Sequence, residues 1–187
     1  MPETLDGYPV EEVKFYFATT REYFSIRLSK NIKRFDAVCL GETIESIFVD
    51  SDNKYFIAKD GILYSKDGKT LVSFPPARKS FEIACLDGVE IIGDGAFLCC
   101  DSIKDLILPD SITSIGNYAF ESCEQLNSVY IPDSVAYIGK AVFAYSSVKS
   151  VRLSKTLKSL KLILVMMVRV RDFLQAVIWK KSLFPTE

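Results

Sequence analysis

The sequence contains no histidine among its 187 residues. Histidine is the commonest general base near neutral pH and the commonest protein ligand for transition metals. Its absence excludes serine–histidine and cysteine–histidine nucleophile systems in their usual forms, and a zinc site would have to be built from thiolates alone. No set of acid, base and nucleophile can be assembled from the remaining residues. We therefore predict a protein that is not an enzyme and that holds no cofactor and no metal.

Paired cysteines are also lacking. The five cysteines include no C-x-x-C spacing, and their odd number does not resemble a disulfide framework. They are Cys39, Cys85, Cys99, Cys100 and Cys123.

The chain has neither an excess of one charge nor a long apolar run. It carries 23 basic and 24 acidic side chains, which argues against nucleic-acid binding and against attachment to an anionic membrane. No stretch approaches the roughly 18 apolar residues of a spanning helix. The N-terminus, MPETLDGYPVEEVKFYF, has acidic residues where a signal peptide needs a basic start. We expect no secretion signal in the chain as written.

What the sequence does contain is a repeat of 23 residues, and self-similarity of this period is typical of solenoids. Isoleucine, glycine and phenylalanine recur in three copies, over residues 92–114, 115–137 and 138–159. The third copy lacks one residue after Tyr145, a loss that a loop accommodates easily. The recurring residues are Ile92, Ile115 and Ile138, Gly93, Gly116 and Gly139, and Phe97, Phe120 and Phe143.

Each copy contains a short alternation of apolar residues, such as Leu106-x-Leu108 and Val129-x-Ile131. This alternation predicts a strand with every second side chain inward, and the proline that follows ends it. No single copy can bury its apolar side alone, so the copies must stack. We predict a repeat solenoid with short parallel strands on one face and turns or short helical segments on the other.

Earlier segments fit the repeat more loosely. The spacing predicts strands at 23–28, 44–49 and 81–83, the last leading through Val89 to Ile92. Asp67-Gly68 predicts a hairpin within residues 59–75, because Asp-Gly favours tight turns, and we interpret it as an insertion between repeats. The stretch from Asp50 to Asn53 begins like a calcium loop. Its later positions lack the required glycine and glutamate, which favours an ordinary turn.

Residues 115–135 read I-G-x-x-A-F-x-x-C-x-x-L-x-x-V-x-I-P-D-S-V, and residues 49–71 read V-D-x-x-N-K-Y-F…D-G-I-L-Y-S-K-D-G-K-T-L. Both resemble the BspA-like leucine-rich repeats and the hairpin unit found between them. The resemblance covers roughly residues 20–159, which we take as one leucine-rich-repeat domain. Residues 1–19 form an N-terminal segment before it, and a degenerate repeat is an alternative interpretation of that segment. The resemblance implies a bacterial or protist protein, on the cell surface or secreted, that adheres to a host or neighbouring-cell protein.

The strand residues between the inward pairs form an outward column, with a second column beside it. An aromatic or aliphatic centre flanked by arginines suits a protein-binding patch, whereas scattered apolar residues are also normal on a solvated sheet face. The first column is Arg27, Phe48, Glu82, Ile107, Tyr130 and Arg152, and the second is Asp105, Ser128 and Ser150. Inside, Cys100 and Cys123 share one repeat position with Ser146, which we interpret as a ladder of small inward residues.

After Ser159 the repeat stops, and residues 160–187 are atypical. One hypothesis is an amphipathic basic helix that caps the solenoid or lies on a membrane. A second is a frameshift near residue 160, because the codons of residues 164–186 can spell L-x-x-V-x-I-P-D in another frame. The chain would then be a fragment of a longer array, and its uncapped ends would invite self-association.

Three functions stay open from the sequence. The first is a non-catalytic adhesion or interaction module that binds a macromolecular partner, a protein, through its strand face. The second is a cytoplasmic scaffold that uses the same face on an internal partner. The third is an inert fragment of a larger surface protein. Membrane association through residues 160–184 is a fourth alternative.

Overall fold

The computed structural model describes residues 3–5, 8–14, 24–36 and 43–152. The predicted tail, 160–187, and the last residues of the predicted repeat domain lie outside these ranges. Among the described residues, no helix has the length and apolar character needed to cross a bilayer. The described strands are β1 (Thr4–Leu5), β2 (Tyr8–Pro9), β3 (Glu12–Lys14), β4 (Phe24–Leu28), β5 (Arg34–Asp36), β6 (Ile44–Val49), β7 (Phe56–Lys59), β8 (Ile62–Ser65), β9 (Thr70–Ser73), β10 (Ile91–Ile92), β11 (Asp105–Ile107), β12 (Ser114–Ile115), β13 (Ser128–Tyr130), β14 (Tyr137–Ile138) and β15 (Ser150–Arg152).

The three clear repeats stack in two parallel ladders, which confirms the predicted solenoid. One ladder is β11–β13–β15, and it pairs Leu106 with Val129 and Val129 with Val151. These three side chains are buried, and their strand neighbours are exposed or half-buried, as the alternation predicted. The other ladder is β10–β12–β14, whose strands have only two residues each. The sequence had marked its isoleucines as repeat positions without identifying a second sheet.

Phenylalanine rings form a continuous stack through the core. Their centroids are 5.3 Å apart from Phe74 to Phe97, 5.1 Å from Phe97 to Phe120 and 5.6 Å from Phe120 to Phe143. Fully burying such a ring contributes about 1.5–3 kcal/mol. The stack begins at Phe74, one coil before the first clear repeat. The Phe81 ring packs against Phe74 with the centroids 5.9 Å apart.

Backbone segments of successive coils approach closely at the recurring glycines. A Cβ atom built on Gly116 would lie 2.6 Å from the backbone nitrogen of Asp94, and one on Gly139 would lie 2.5 Å from that of Asn117. Polar side chains bind the coils together at the same place. Asp94 Oδ1 accepts the Asn117 amide at 2.7 Å, and Asn117 Oδ1 accepts the Lys140 amide at 3.0 Å.

The hairpin predicted within residues 59–75 is present, as β8 and β9, and β7 adds a third antiparallel strand. It is more than an insertion, because β9 pairs in parallel with β10 and so continues the second ladder. Both faces of β8 are buried. Ile62 and Tyr64 belong to the core of the repeats, whereas Leu63 belongs to a separate core that contains Leu28 and other residues of β4 and β6.

The strand predicted at 81–83 is wrong. Ile83–Leu86 is a 3-10 helix, and the Ile83 side chain is 50% exposed. The physical reason is that Phe81 turns onto the rings of Phe74 and Phe97, while the next inward residue is Leu86, which is fully buried. The alternation of Phe81 and Ile83 therefore does not mark one face of a strand.

The stretch from Asp50 to Asn53 forms the turn that the sequence favoured, with the Asp52 amide donating to Asp50 Oδ1 at 2.9 Å. Asn53 is almost completely buried. Its Nδ2 donates to the carbonyl oxygens of Ser29 and Ile32, each at 2.9 Å. Its Oδ1 accepts the amides of Tyr55 and Phe56, each at 2.8 Å. One side chain thus ties the end of β4 to the start of β7.

Gly116→Ala should destabilise the chain by about 3 kcal/mol, because the added methyl meets backbone that cannot move without separating two coils. Urea unfolding followed by circular dichroism measures this. The control is Gly88→Ala, since Gly88 has φ +74° and no atom within 4 Å of a built Cβ. That control tests backbone conformation alone and should cost about 1 kcal/mol. Equal losses in the two variants would contradict the close-approach argument.

Asn53→Ala should cost about 3 kcal/mol, because it leaves two buried carbonyls and two amides without their side-chain partner. Asn31→Ala is the matched control, since Asn31 Nδ2 donates a single exposed bond to the Glu3 carbonyl at 3.2 Å. The control should lose about 0.5 kcal/mol in the same unfolding measurement. A loss at Asn53 no larger than at Asn31 would show that the amide is not the tie between β4 and β7.

Candidate binding face

The exposed side of β11, β13 and β15 brings together three of the predicted residues. Ile107 lies opposite Tyr130, and Tyr130 lies opposite Arg152. Ile107 is 70% exposed. The Arg152 guanidinium carbon lies 5.6 Å from the centroid of the Tyr130 ring, a cation–π geometry.

The second predicted column stands beside the first on the same three strands. Asp105 lies opposite Ser128, which lies opposite Ser150. Ser128 Oγ donates a short hydrogen bond to Asp105 Oδ1, at 2.5 Å. The bond fixes the direction of a carboxylate that remains exposed. The two columns together present an apolar, aromatic and cationic row next to a polar row.

The remaining predicted residues lie elsewhere. Arg27 and Phe48 are opposite each other on the separate sheet of β4 and β6, with the Arg27 guanidinium carbon 5.6 Å from the Phe48 centroid. Glu82 is not on a sheet. It is exposed and directly precedes the 3-10 helix. The predicted continuous column is therefore wrong at Glu82, because the strand that was to carry this residue does not form.

An arginine stacked on an aromatic ring is well suited to protein binding. The ring fixes the side chain, and the edge of the guanidinium keeps donors that fit carboxylate or carbonyl oxygens. Tyrosine and arginine are also enriched among the residues that dominate interface energies. The pair Tyr130–Arg152 repeats the geometry of Phe48–Arg27 on a different sheet.

Sequence reasoning missed a cleft of about 410 Å³ between the hairpin and the segment that follows it. Residues lining it include Lys59, Tyr64, Phe74, Arg78 and Cys85. The Tyr64 hydroxyl donates to the Cys85 carbonyl at 2.9 Å, and burial raises the pKa of Tyr64 well above its usual range. No pattern in the sequence indicated the cleft, because the chain follows the repeat at Leu86 and Val89 but departs from it in the residues just before them.

The cysteines of the core form the predicted ladder of small inward residues. Cys123 Sγ donates to the Phe97 carbonyl at 3.0 Å, and Ser146 Oγ donates to the Phe120 carbonyl at 2.5 Å. Cys100 makes the same contact with Phe74, at 3.6 Å.

Burial raises the pKa of the Cys123 thiol to about 12, and it also raises the pKa of Cys85 to about 12. Such thiols stay protonated at neutral pH, and a protonated thiol is neither a nucleophile nor a metal ligand. Over the described ranges, no group of three or more cysteine and carboxylate side chains could hold a metal ion.

Comparison with known proteins agrees with the repeat geometry. Residues 73–163 match the family model described as a BspA type leucine-rich repeat region, in 6 copies. The resemblance seen in residues 92–159 is thereby confirmed. No curated protein matches the chain.

Solved structures give the same fold. A leucine-rich repeat protein from Eubacterium ventriosum superposes with a TM-score of 0.60 at 23% identity, over 69% of this chain and 36% of that one. The pneumococcal vaccine antigen PcpA superposes with a TM-score of 0.59 at 21% identity, over 73% of this chain and 40% of that one. This chain thus spans well under half the length of either. Identities this low show the shared fold alone.

Cys123→Ser should reduce the loss of stability that the chain undergoes at alkaline pH. The folded thiol has a pKa of about 12, against an ordinary value of 9.0. The unfolded chain therefore ionises first, and the free energy of unfolding falls as pH rises from 9 towards 12, by up to about 1.4 kcal/mol per pH unit. Urea unfolding at about pH 8 and about pH 10.5 should show a smaller loss in the variant.

Ser146 shows that this ladder position accepts a hydroxyl. The control is Cys99→Ser, because Ser122 already occupies the equivalent backbone position, with φ 57° against 58° for Cys99. It leaves Cys123 in place and should keep the full alkaline loss. The same loss in Cys123→Ser as in wild type would contradict the assignment.

Proposed function

We propose, from the premise that residues 73–163 are leucine-rich repeats of the BspA type, that this chain is a protein-binding module without catalytic activity. Its binding face is the exposed side of β11, β13 and β15. The observation that carries this proposal is the in-register row of Ile107, Tyr130 and Arg152, with the arginine stacked on the tyrosine.

The rigidity of this face supports the proposal. Parallel hydrogen bonds hold the three strands, and the inward partners of the row, Leu106, Val129 and Val151, are buried. A partner therefore orders few main-chain bonds on binding, which reduces the entropy that association costs. The row also combines apolar area with donors at its cationic end, as the energetic centres of interfaces do.

We further propose that the partner is a protein on the surface of a host or neighbouring cell, so that the module serves adhesion. The resemblance to BspA-like proteins supports a surface location, and nearly balanced charge, 23 basic against 24 acidic side chains, suits a protein partner better than nucleic acid. The alternative is an internal scaffold that uses the same face.

Tyr130→Ala with Arg152→Ala should weaken partner binding about 30-fold, because hot-spot truncations of this kind cost about 2 kcal/mol together. The measurement is titration of fluorescently labelled chain onto intact host or neighbouring cells. Tyr137→Ala is the control, since Tyr137 is 55% exposed but lies on the other ladder, in β14. Circular dichroism checks that all the variants stay folded.

Unchanged binding by the double variant, or an equal loss in Tyr137→Ala, would contradict the assignment of the face. Binding to intact cells that the double variant loses supports adhesion. Binding confined to purified cytosolic proteins would favour the scaffold. Binding to neither would favour the inert fragment.

A further inference from the structure

Charge is distributed unevenly along the solenoid. Residues 92–133 carry seven carboxylates and a single cation, Lys104. Residues 134–152 carry no carboxylate and three cations, Lys140, Lys149 and Arg152. The third coil is therefore basic, although the chain as a whole has a formal net charge of −1.

Two of these three cations lie at β15, on the side of the proposed binding face. Lys149 directly precedes β15 and Arg152 ends it, and both residues are exposed. Lys140 lies elsewhere, on the turn that follows β14, with its ammonium 5.6 Å from the centroid of the Tyr118 ring. Among the described residues, neither Lys149 nor Arg152 forms a salt bridge. The positive charge at β15 is therefore not neutralised within this part of the chain.

The neighbouring strand, β13, supplies no carboxylate. Asn127 lies beside Lys149, since the Lys149 amide donates to its carbonyl at 2.8 Å. Tyr130 lies opposite Arg152. Asp105, on β11, is two strands from β15 and accepts a serine hydroxyl. The strands β13 and β15 and the residues just before them thus present cations, hydroxyls and an amide, and no anion.

Apolar surface adjoins these cations. Ile107 is 70% exposed, and it lies opposite Tyr130 in the same row as Arg152. The Arg152 guanidinium is stacked on the Tyr130 ring, which holds the charge in place while its edge keeps donors for an oxygen acceptor. A ligand that matches this surface has carboxylates next to an apolar or aromatic side chain. A polypeptide can carry both, whereas a lipid headgroup carries only the charge.

We propose that the strand face at β13 and β15 binds an acidic segment of its protein partner. The carboxylates of this segment lie at Lys149 and Arg152, and an apolar side chain between them lies on Tyr130 and Ile107. The inference rests on the proposed function, because it states the chemistry of the partner of the same face. A guanidinium donates paired hydrogen bonds to a carboxylate, and complementary charge raises the rate and the specificity of association. Lys149 thereby joins the face, although neither outward column contains it.

The probe is the hexapeptide acetyl-EEFLEE-amide, titrated into the full-length chain and followed by NMR at the Ser128 and Ser150 amides. We expect saturable shifts with a Kd on the order of 0.1 mM at low salt. Raising the salt to about 0.5 M should weaken the binding at least fivefold, because exposed ion pairs are screened. The matched peptide acetyl-QQFLQQ-amide has the same apolar centre without the charge, and it should bind about tenfold more weakly.

Lys149→Glu should weaken binding of the acidic peptide about tenfold, because it reverses an exposed charge at the site. Lys79→Glu is the matched control, since it makes the same change in net charge on another exposed residue. The segment that contains Lys79 lies against β6, where the Ala77 amide donates to the Ile44 carbonyl at 3.0 Å. The control should lose less than about twofold. Equal binding of the two peptides, an equal loss in Lys79→Glu, or binding to phosphatidylglycerol vesicles in place of the acidic peptide would each overturn the proposal.

The failure of this inference and the failure of the proposed function give different results. Cell binding that the Tyr130 and Arg152 double variant loses, together with no preference for the acidic peptide, would overturn the acidic partner and leave the binding face in place. Binding of the acidic peptide through Lys149, together with unchanged cell binding by the double variant, would support the acidic site and contradict the proposed adhesion.

Discussion

The close stacking of successive coils is the constraint on which the rest of the structure depends. In the clear repeats the phenylalanine ring centroids are 5.1–5.6 Å apart, so each coil adds one ring to the stack. Strands in a parallel sheet are about 4.8 Å apart, so both ladders and the ring stack can share one spacing. Glycine is needed at Gly116 and Gly139 because a Cβ atom at either position would lie only 2.5–2.6 Å from the backbone of the preceding coil. Polar contacts such as Asp94 to Asn117 then satisfy amides that face the next coil.

The same stacking determines what the surface can present. Each outward repeat position becomes a column, with its members one coil apart. Inward positions must fit one another, which is why phenylalanine follows phenylalanine through the core. Outward positions have no such requirement, and the row of Ile107, Tyr130 and Arg152 contains three chemically different side chains. The repeat therefore specifies the scaffold, while the exposed residues of the columns are free to specify a partner.

The sequence predicted the features that have a clear local pattern and failed in the segment between the hairpin and the first clear repeat. It identified the solenoid, the inward cysteine ladder and the hairpin, because each has a local pattern. It missed Phe74 in the ring stack, although Phe74 precedes Phe97 by the full 23 residues, because the hairpin was taken for an insertion and its Leu71 precedes its partner Ile92 by only 21. The strand expected at 81–83 depended on alternation alone, and packing of Phe81 on two rings outweighed it. The cleft lies in that same irregular segment, where no pattern could indicate it.

The three-stranded hairpin unit acquires a structural role from the two faces of β8. Ile62 and Tyr64 face the core of the repeats, and Leu63 faces the core beneath β4 and β6. A strand buried on both sides acts as a partition that joins the two cores, so it cannot shift its register without exposing one of them. Asn53 fixes the entry to this unit, and the pairing of β9 with β10 fixes its exit. The two arginine–aromatic pairs, on β4–β6 and on β13–β15, are thus connected through packed structure, even though the strand face between them is interrupted. The hairpin unit therefore separates the sheet of β4 and β6 from the strand face of the repeats and at the same time joins the two cores.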